Sequence, residues 1–181
     1  MIRIVLLAVV FWASVACAQT VEEAVPPPAA ETPTPLEVGA ESPRLAVFDI
    51  YGERFDSAEQ LGKRFIIYNF FTTYCQPCIR EFAGFRELAR RFGDRLVVVL
   101  INTGQDERGV LKLFQRDHHM DAAVMVRDRF GLIRKEFGIG DLVPVTFLVD
   151  PEGKIVCVQL GAFPDGNPLD VLKALMETGD E

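Results

Sequence analysis

One stretch, from Arg64 to Phe92, constrains the chain more than any other. Arg64 to Phe71 is dense in Phe, Ile and Tyr and is bounded by Gly62-Lys63 and Thr72-Thr73, the pattern of a buried strand. Beyond Cys75-Gln76-Pro77-Cys78, the apolar residues Ile79, Phe82, Ala83, Phe85, Leu88, Ala89 and Phe92 recur at helical spacing. Arg86, Glu87, Arg90 and Arg91 fall between them, and Gly93 ends the helix. Two cysteines thus sit where a buried strand gives way to an amphipathic helix.

That placement has chemical consequences. Cys75 falls at the helix N-terminus, where free backbone N–H groups and the helix dipole favour a thiolate. Pro77 is tolerated in the first turn, because its missing N–H has no intrahelical partner there. Cys78 lies one turn on, within disulfide reach of Cys75. The pair suits a cycle in which Cys75 attacks a substrate disulfide and Cys78 resolves the mixed disulfide. A structural zinc site needs four ligands, but no second Cys-x-x-Cys exists and His118-His119 lacks finger spacing. A purely structural disulfide stays open. Glu81, one turn after Cys78, has two readings: a base for the Cys78 proton, or a solvated carboxylate near a helix N-terminus.

Elsewhere the pattern alternates. Strands are expected at Leu45–Tyr51, Leu96–Ile101 and Ala122–Val126, and helices at Glu107–Asp117 and near Phe130–Phe137. Val145–Val149 and Ile155–Leu160 flank Asp150-Pro151-Glu152-Gly153-Lys154, a hairpin connection, and a last helix starts at Asp165 or Asn167. This order predicts an α/β fold: a mixed, mostly parallel central sheet with helices on both faces. Arg86, Arg90, Arg91 and Arg95 read as a solvated basic edge, and Cys157 as a buried, inert small hydrophobe. Gly138-Ile139-Gly140 lacks the third glycine of a dinucleotide loop.

The chain has 181 residues and a net charge of −7, which excludes a general nucleic-acid binder. Its four cysteines, at 17, 75, 78 and 157, are too few for a disulfide scaffold. Residues 1–18 have a basic start, an apolar run from Ile4 to Ala13 and small residues ahead of Gln19, as in an export signal. Three fates stay open: cleavage before Gln19, retention as an anchor, or lipidation at Cys17. Each places the body outside the cytosol, periplasmic or otherwise extracytoplasmic. Residues 19–43 hold six of the 11 prolines and read as a linker, leaving 44–181 as one folded domain.

Together these residues resemble the thioredoxin superfamily, particularly its exported TlpA/ResA-like and DsbE-like thiol–disulfide oxidoreductases. The motifs that carry the resemblance are Asn69-Phe70-Phe71, Cys75-Gln76-Pro77-Cys78 with Glu81, and Pro144-Val145-Thr146-Phe147-Leu148-Val149-Asp150 ahead of Gly153-Lys154. It implies a thioredoxin-like fold with a central βα insertion around 106–137. It implies a redox-active Cys75–Cys78 disulfide and Glu81 as a catalytic carboxylate. Tyr74, Gln76, Pro77, Val143 and Pro144 would meet the substrate, with a cis Val143–Pro144 bond and Val143 backbone pairing to a substrate strand. No cofactor or metal is implied. The implied partners are disulfide-bearing proteins, a membrane thiol electron donor and a membrane tether at the N-terminus. Such proteins often serve cytochrome c maturation.

Three residues depart from the family pattern: Tyr74 replaces Trp, Val145 replaces Thr after the proline, and Ala83 replaces Pro. They bear on partner choice and potential more than on fold. The rival readings are a dithiol copper chaperone, for which no Met- or His-rich loop is present, and a thiol peroxidase. Thr72 fits the peroxidase spacing, but the proline of that motif is missing.

Overall fold

The computed structural model describes residues 34–178. Its elements run β1 (Ala46–Phe48), β2 (Arg54–Asp56), β3 (Phe65–Phe71), α1 (Gln76–Phe92), β4 (Leu96–Asn102) and α2 (Arg108–Asp117). They continue with β5 (Val124–Arg127), α3 (Leu132–Glu136), β6 (Val145–Val149), β7 (Ile155–Leu160) and α4 (Leu169–Thr178). The expected export signal and linker residues 19–33 lie outside the described residues.

Five strands form one sheet in the order β5-β4-β3-β6-β7. β3, β4 and β5 pair in parallel, and β6 pairs antiparallel with both β3 and β7. All seven residues of β3 are buried, because the central strand is covered on both faces. Its side chains divide by parity. Phe65, Ile67 and Phe71 join Phe82, Phe85 and Leu88 of α1, Leu111 of α2, and Leu172 and Met176 of α4. Ile66, Tyr68 and Phe70 face the opposite way, toward Ile133 of α3, Phe137 and Ile139. This is the thioredoxin-like arrangement, with α2, β5 and α3 in the expected insertion.

Two stretches differ from the sequence reading. The strand expected over 45–51 is only β1, and it pairs with β2, outside the main sheet. β2 escapes the pattern because three residues are too few to show a period. Its Asp56 is buried beneath Arg44 and Arg54, and accepts from both guanidinium groups and from the Ala58 amide. The second stretch is the end of the proline-rich segment. Gly39 N–H donates to Ile155 O, Ile155 N–H to Ala40 O, and Ser42 N–H to Gly153 O. Leu36 and Ala40 pack on the α3-side core. Two apolar residues and satisfied backbone groups dock this segment along the β6–β7 turn despite its proline content.

Candidate active site

Cys75 is the N-cap of α1, and its Sγ accepts from the Cys78 amide at 3.3 Å. Cys75 and Cys78 are joined in a disulfide, with Cα atoms 5.3 Å apart. The Cys75 amide donates back to Thr72 O, which turns the chain sharply from β3 into the helix. Pro77 lies in the first helical turn. Cys78 is fully buried and Cys75 nearly so, while Tyr74 is 76% exposed beside them. Cys75 thus keeps slight exposure and Cys78 none. Gln76 is exposed as well, and Pro77 is half-buried.

Glu81 is fully buried, so it is not the solvated carboxylate of the second sequence reading. It follows Cys78 by three positions and therefore shares its helix face. Glu81 Oε1 accepts from the Phe163 amide at 2.8 Å, while Oε2 is buried with no hydrogen-bond partner among the described residues. Burial pushes this carboxyl from 4.5 up to about 7, against the opposing pull of the Phe163 N–H and Arg80. A group that titrates near neutrality can both take and give a proton.

The Val143–Pro144 bond is cis, and Pro144 O accepts from the Gly161 amide at 2.9 Å. Val143 packs against the buried cluster to which Cys75 and Cys78 belong. Beneath the strand ends, Asn69 Nδ2 donates to Thr146 Oγ1 at 2.9 Å. On the other side, Asp106 accepts from Thr73 Oγ1 and from Asn102 Nδ2, both at 3.0 Å. These bonds fix the segment leading to Cys75 to the loop after β4.

Several residues lie away from this site. His118 packs its ring on Phe82 and Phe114. Cys157 sits half-buried on the edge strand β7, and burial pushes its thiol up. Arg86, expected in a solvated edge, donates to His118 O, whereas Arg90 and Arg91 pair with Glu87 and Glu177. Phe163 and Asp106 were not anticipated. The first contributes only a backbone amide, which any residue supplies. The second stands in an acidic run, Asp106-Glu107, which resembles any helix start.

Comparison with known proteins agrees with this geometry. Thiol-disulfide oxidoreductase ResA of Geobacillus thermodenitrificans is 30% identical over 129 residues, covering 71% of this chain and 72% of the relative. ResA of Bacillus subtilis is 28% identical over 131 residues, covering 72% and 71%. A DsbF homologue from Corynebacterium diphtheriae superposes with a TM-score of 0.68 at 18% identity, over 84% of this chain and 96% of that structure. A secreted Mycobacterium tuberculosis disulfide oxidoreductase homologous to E. coli DsbE gives a TM-score of 0.62 at 18% identity, over 74% and 95%. The AhpC/TSA family profile matches residues 38–158, from the docked segment into β7. A strand–disulfide–helix junction, a thioredoxin-like sheet and a family match across two thirds of the sequence converge: the chain belongs to the AhpC/TSA family, as a thiol–disulfide oxidoreductase of the ResA type.

Proposed function

We propose that the chain is an exported reductant of specific extracytoplasmic protein disulfides. The observation that carries this reading is the Cys75–Cys78 disulfide at the start of α1 with buried Glu81 one turn further on. In the reduced enzyme the Cys75 thiolate attacks one sulfur of a substrate disulfide. The S–S bond breaks, and the second substrate sulfur leaves as a thiolate. Cys78 then gives its proton to the Glu81 carboxylate and attacks Cys75 Sγ. The mixed disulfide breaks, the substrate sulfur that Cys75 first attacked leaves as the other thiolate, and the Cys75–Cys78 disulfide remains. Two electrons have passed to the substrate.

Tyr74, Gln76 and Pro77 would contact the substrate around Cys75, and Val143 would pair with it through its backbone, next to Pro144. An N-terminal export signal, with the proline-rich segment as tether, would place this chemistry outside the cytosol. A membrane thiol donor would return the disulfide to the dithiol. Haem-site cysteines of apocytochrome c are the proposed substrate within this class.

The test is Cys78→Ser in the exporting cell, which removes the resolving thiol. Mixed disulfides through Cys75 are expected, and their identification by mass spectrometry names the substrate. No mixed disulfide, together with stoichiometric copper on the wild-type dithiol, would overturn the reading in favour of a chaperone.

A further inference from the structure

A cleft of about 200 Å³ opens at the edge of the sheet, lined by Phe48, Asp49, Ile50, Arg108, Arg127 and Arg129. Three arginines lining one hollow is unexpected in a chain of net charge −7. Two segments far apart in sequence supply them. Arg108 opens α2, Arg127 ends β5, and Arg129 follows it in the turn before α3.

Arg127 has one long ion pair and an unsatisfied donor. Arg127 Nε is buried and has no hydrogen-bond partner among the described residues. Such an orphaned donor is costly, because it has lost its water without gaining an acceptor. The nearest carboxylate to Arg127 is that of exposed Glu107, whose Oε2 stands 3.8 Å from Nη1, beyond hydrogen-bond distance. Among the described residues no ion pair engages Arg108 or Arg129; the Arg129 guanidinium lies over the Phe130 ring at 5.5 Å from its centroid. Asp49 also lines the cleft, but its Oδ1 accepts from the Tyr51 and Glu53 amides at 2.8 Å. The first amides of α2 add to the positive field, since its N-cap, Glu107, makes no side-chain capping bond.

We propose that this cleft is an oxyanion-binding site, taking a carboxylate or phosphate group in the fork of Arg127 with Arg108 and Arg129 closing around it. A guanidinium presents paired N–H donors that match such groups. The volume is several times the ~30 Å³ of one water, enough for the anion and part of its hydration. The cleft lies at the active-site end of the sheet, because the loop that carries Asp106 to Thr73 runs directly into Arg108. The anion is either free in solution or the acidic side chain of a protein.

The test is calorimetric titration of the full chain at low ionic strength with inorganic phosphate, malonate and an N-acetylated tetraglutamate peptide. At least one probe should bind at a single site. Arg127→Gln and Arg108→Gln should each weaken it at least about tenfold. Arg127→Lys, which keeps charge but loses the fork, should not restore it fully. Tighter binding of phosphate or malonate identifies a free anion, and tighter binding of the peptide identifies a protein side chain. Should Arg127→Gln fail to fold by circular dichroism, exposed Arg108→Gln and Arg129→Gln carry the test. No saturable binding of any probe up to about 10 mM, or binding unchanged in these variants, overturns the proposal. Neither result depends on disulfide turnover, so this site stands or falls separately from the redox reading.

Discussion

The amide of Phe163 donates to Glu81 Oε1 at 2.8 Å, joining residues 82 positions apart in the buried base of the redox site. This bond fixes one carboxylate oxygen and leaves the other unpartnered on the helix face shared with Cys78. It orients Glu81 without fully stabilising its charge, so burial dominates and the group titrates near 7.

Glu81 should therefore shape the pH dependence of both stability and rate. Its carboxyl is raised from 4.5 to about 7 in the fold, so between those values the folded chain retains a proton that the unfolded chain has released. The resulting stability is complete below 4.5 and is lost as pH rises through about 7. The loss is on the order of 2 kcal/mol, read from urea midpoints of the oxidised protein. Glu81→Gln keeps an acceptor for Phe163 and should remove that slope. It should also slow release of the mixed disulfide about tenfold or more and flatten the rate profile near neutrality. An unchanged rate profile in the variant would remove Glu81 from the chemistry.

Asp56 carries the opposite sign. Hydrogen bonding from Arg44, helped by the Ala58 amide and both arginine charges, holds its carboxyl down at about 2 despite burial. Its contribution is present above the ordinary 3.8 and vanishes as pH falls through about 2. Asp56→Asn should lower the urea midpoint at pH 7 and make no difference near pH 2. A variant as stable as wild type at neutral pH would show that the two arginines contribute nothing net.

Gly84 tests the joint between α1 and α4. A Cβ there would stand 2.5 Å from Pro168 Cδ and 2.6 Å from Asn167 Oδ1, and Asn167 caps the turn into α4 through the Leu169 amide. Gly84→Ala gains up to about 1 kcal/mol of helix propensity but forces this entry apart, at about 1–3 kcal/mol. Net destabilisation of about 1 kcal/mol is expected by denaturant unfolding. A stabilised variant would show that α4 shifts freely.

Cys157 should be silent. Burial pushes its thiol up, and it sits on β7 beside Leu148 of β6 rather than at the start of α1. Cys157→Ala should change disulfide reduction by less than about twofold, and the oxidised protein should react slowly with a thiol reagent at pH 7. Rapid labelling at residue 157 would assign it a redox role.

The parts of this fold legible in the sequence are those with a long period or a fixed motif. β3, α1 and the β6–β7 hairpin each present enough consecutive residues for burial to leave its pattern. The cysteine pair is legible because its chemistry depends on position along the chain. β2 is not legible, since three residues carry no period, nor is the docking of Leu36 and Ala40 within a proline-rich run. The Phe163 amide leaves no trace in residue type, and the three arginines of the edge cleft are neighbours only after α2 and β5 have packed. What sequence hides here is contact made by backbone groups or by segments far apart.

The docked segment at 36–42 also sets a direction. Its bonds to Gly153 and Ile155 lie at the β6–β7 turn, where Val149 pairs with Ile66 near the start of β3. Cys75 follows the other end of β3, so residues 39–42 are held about 20 Å along the strand axis from the disulfide. Substitutions that loosen these bonds should therefore act on the end of the sheet opposite the sulfurs. The exposed face around Tyr74 is left clear of residues 39–42.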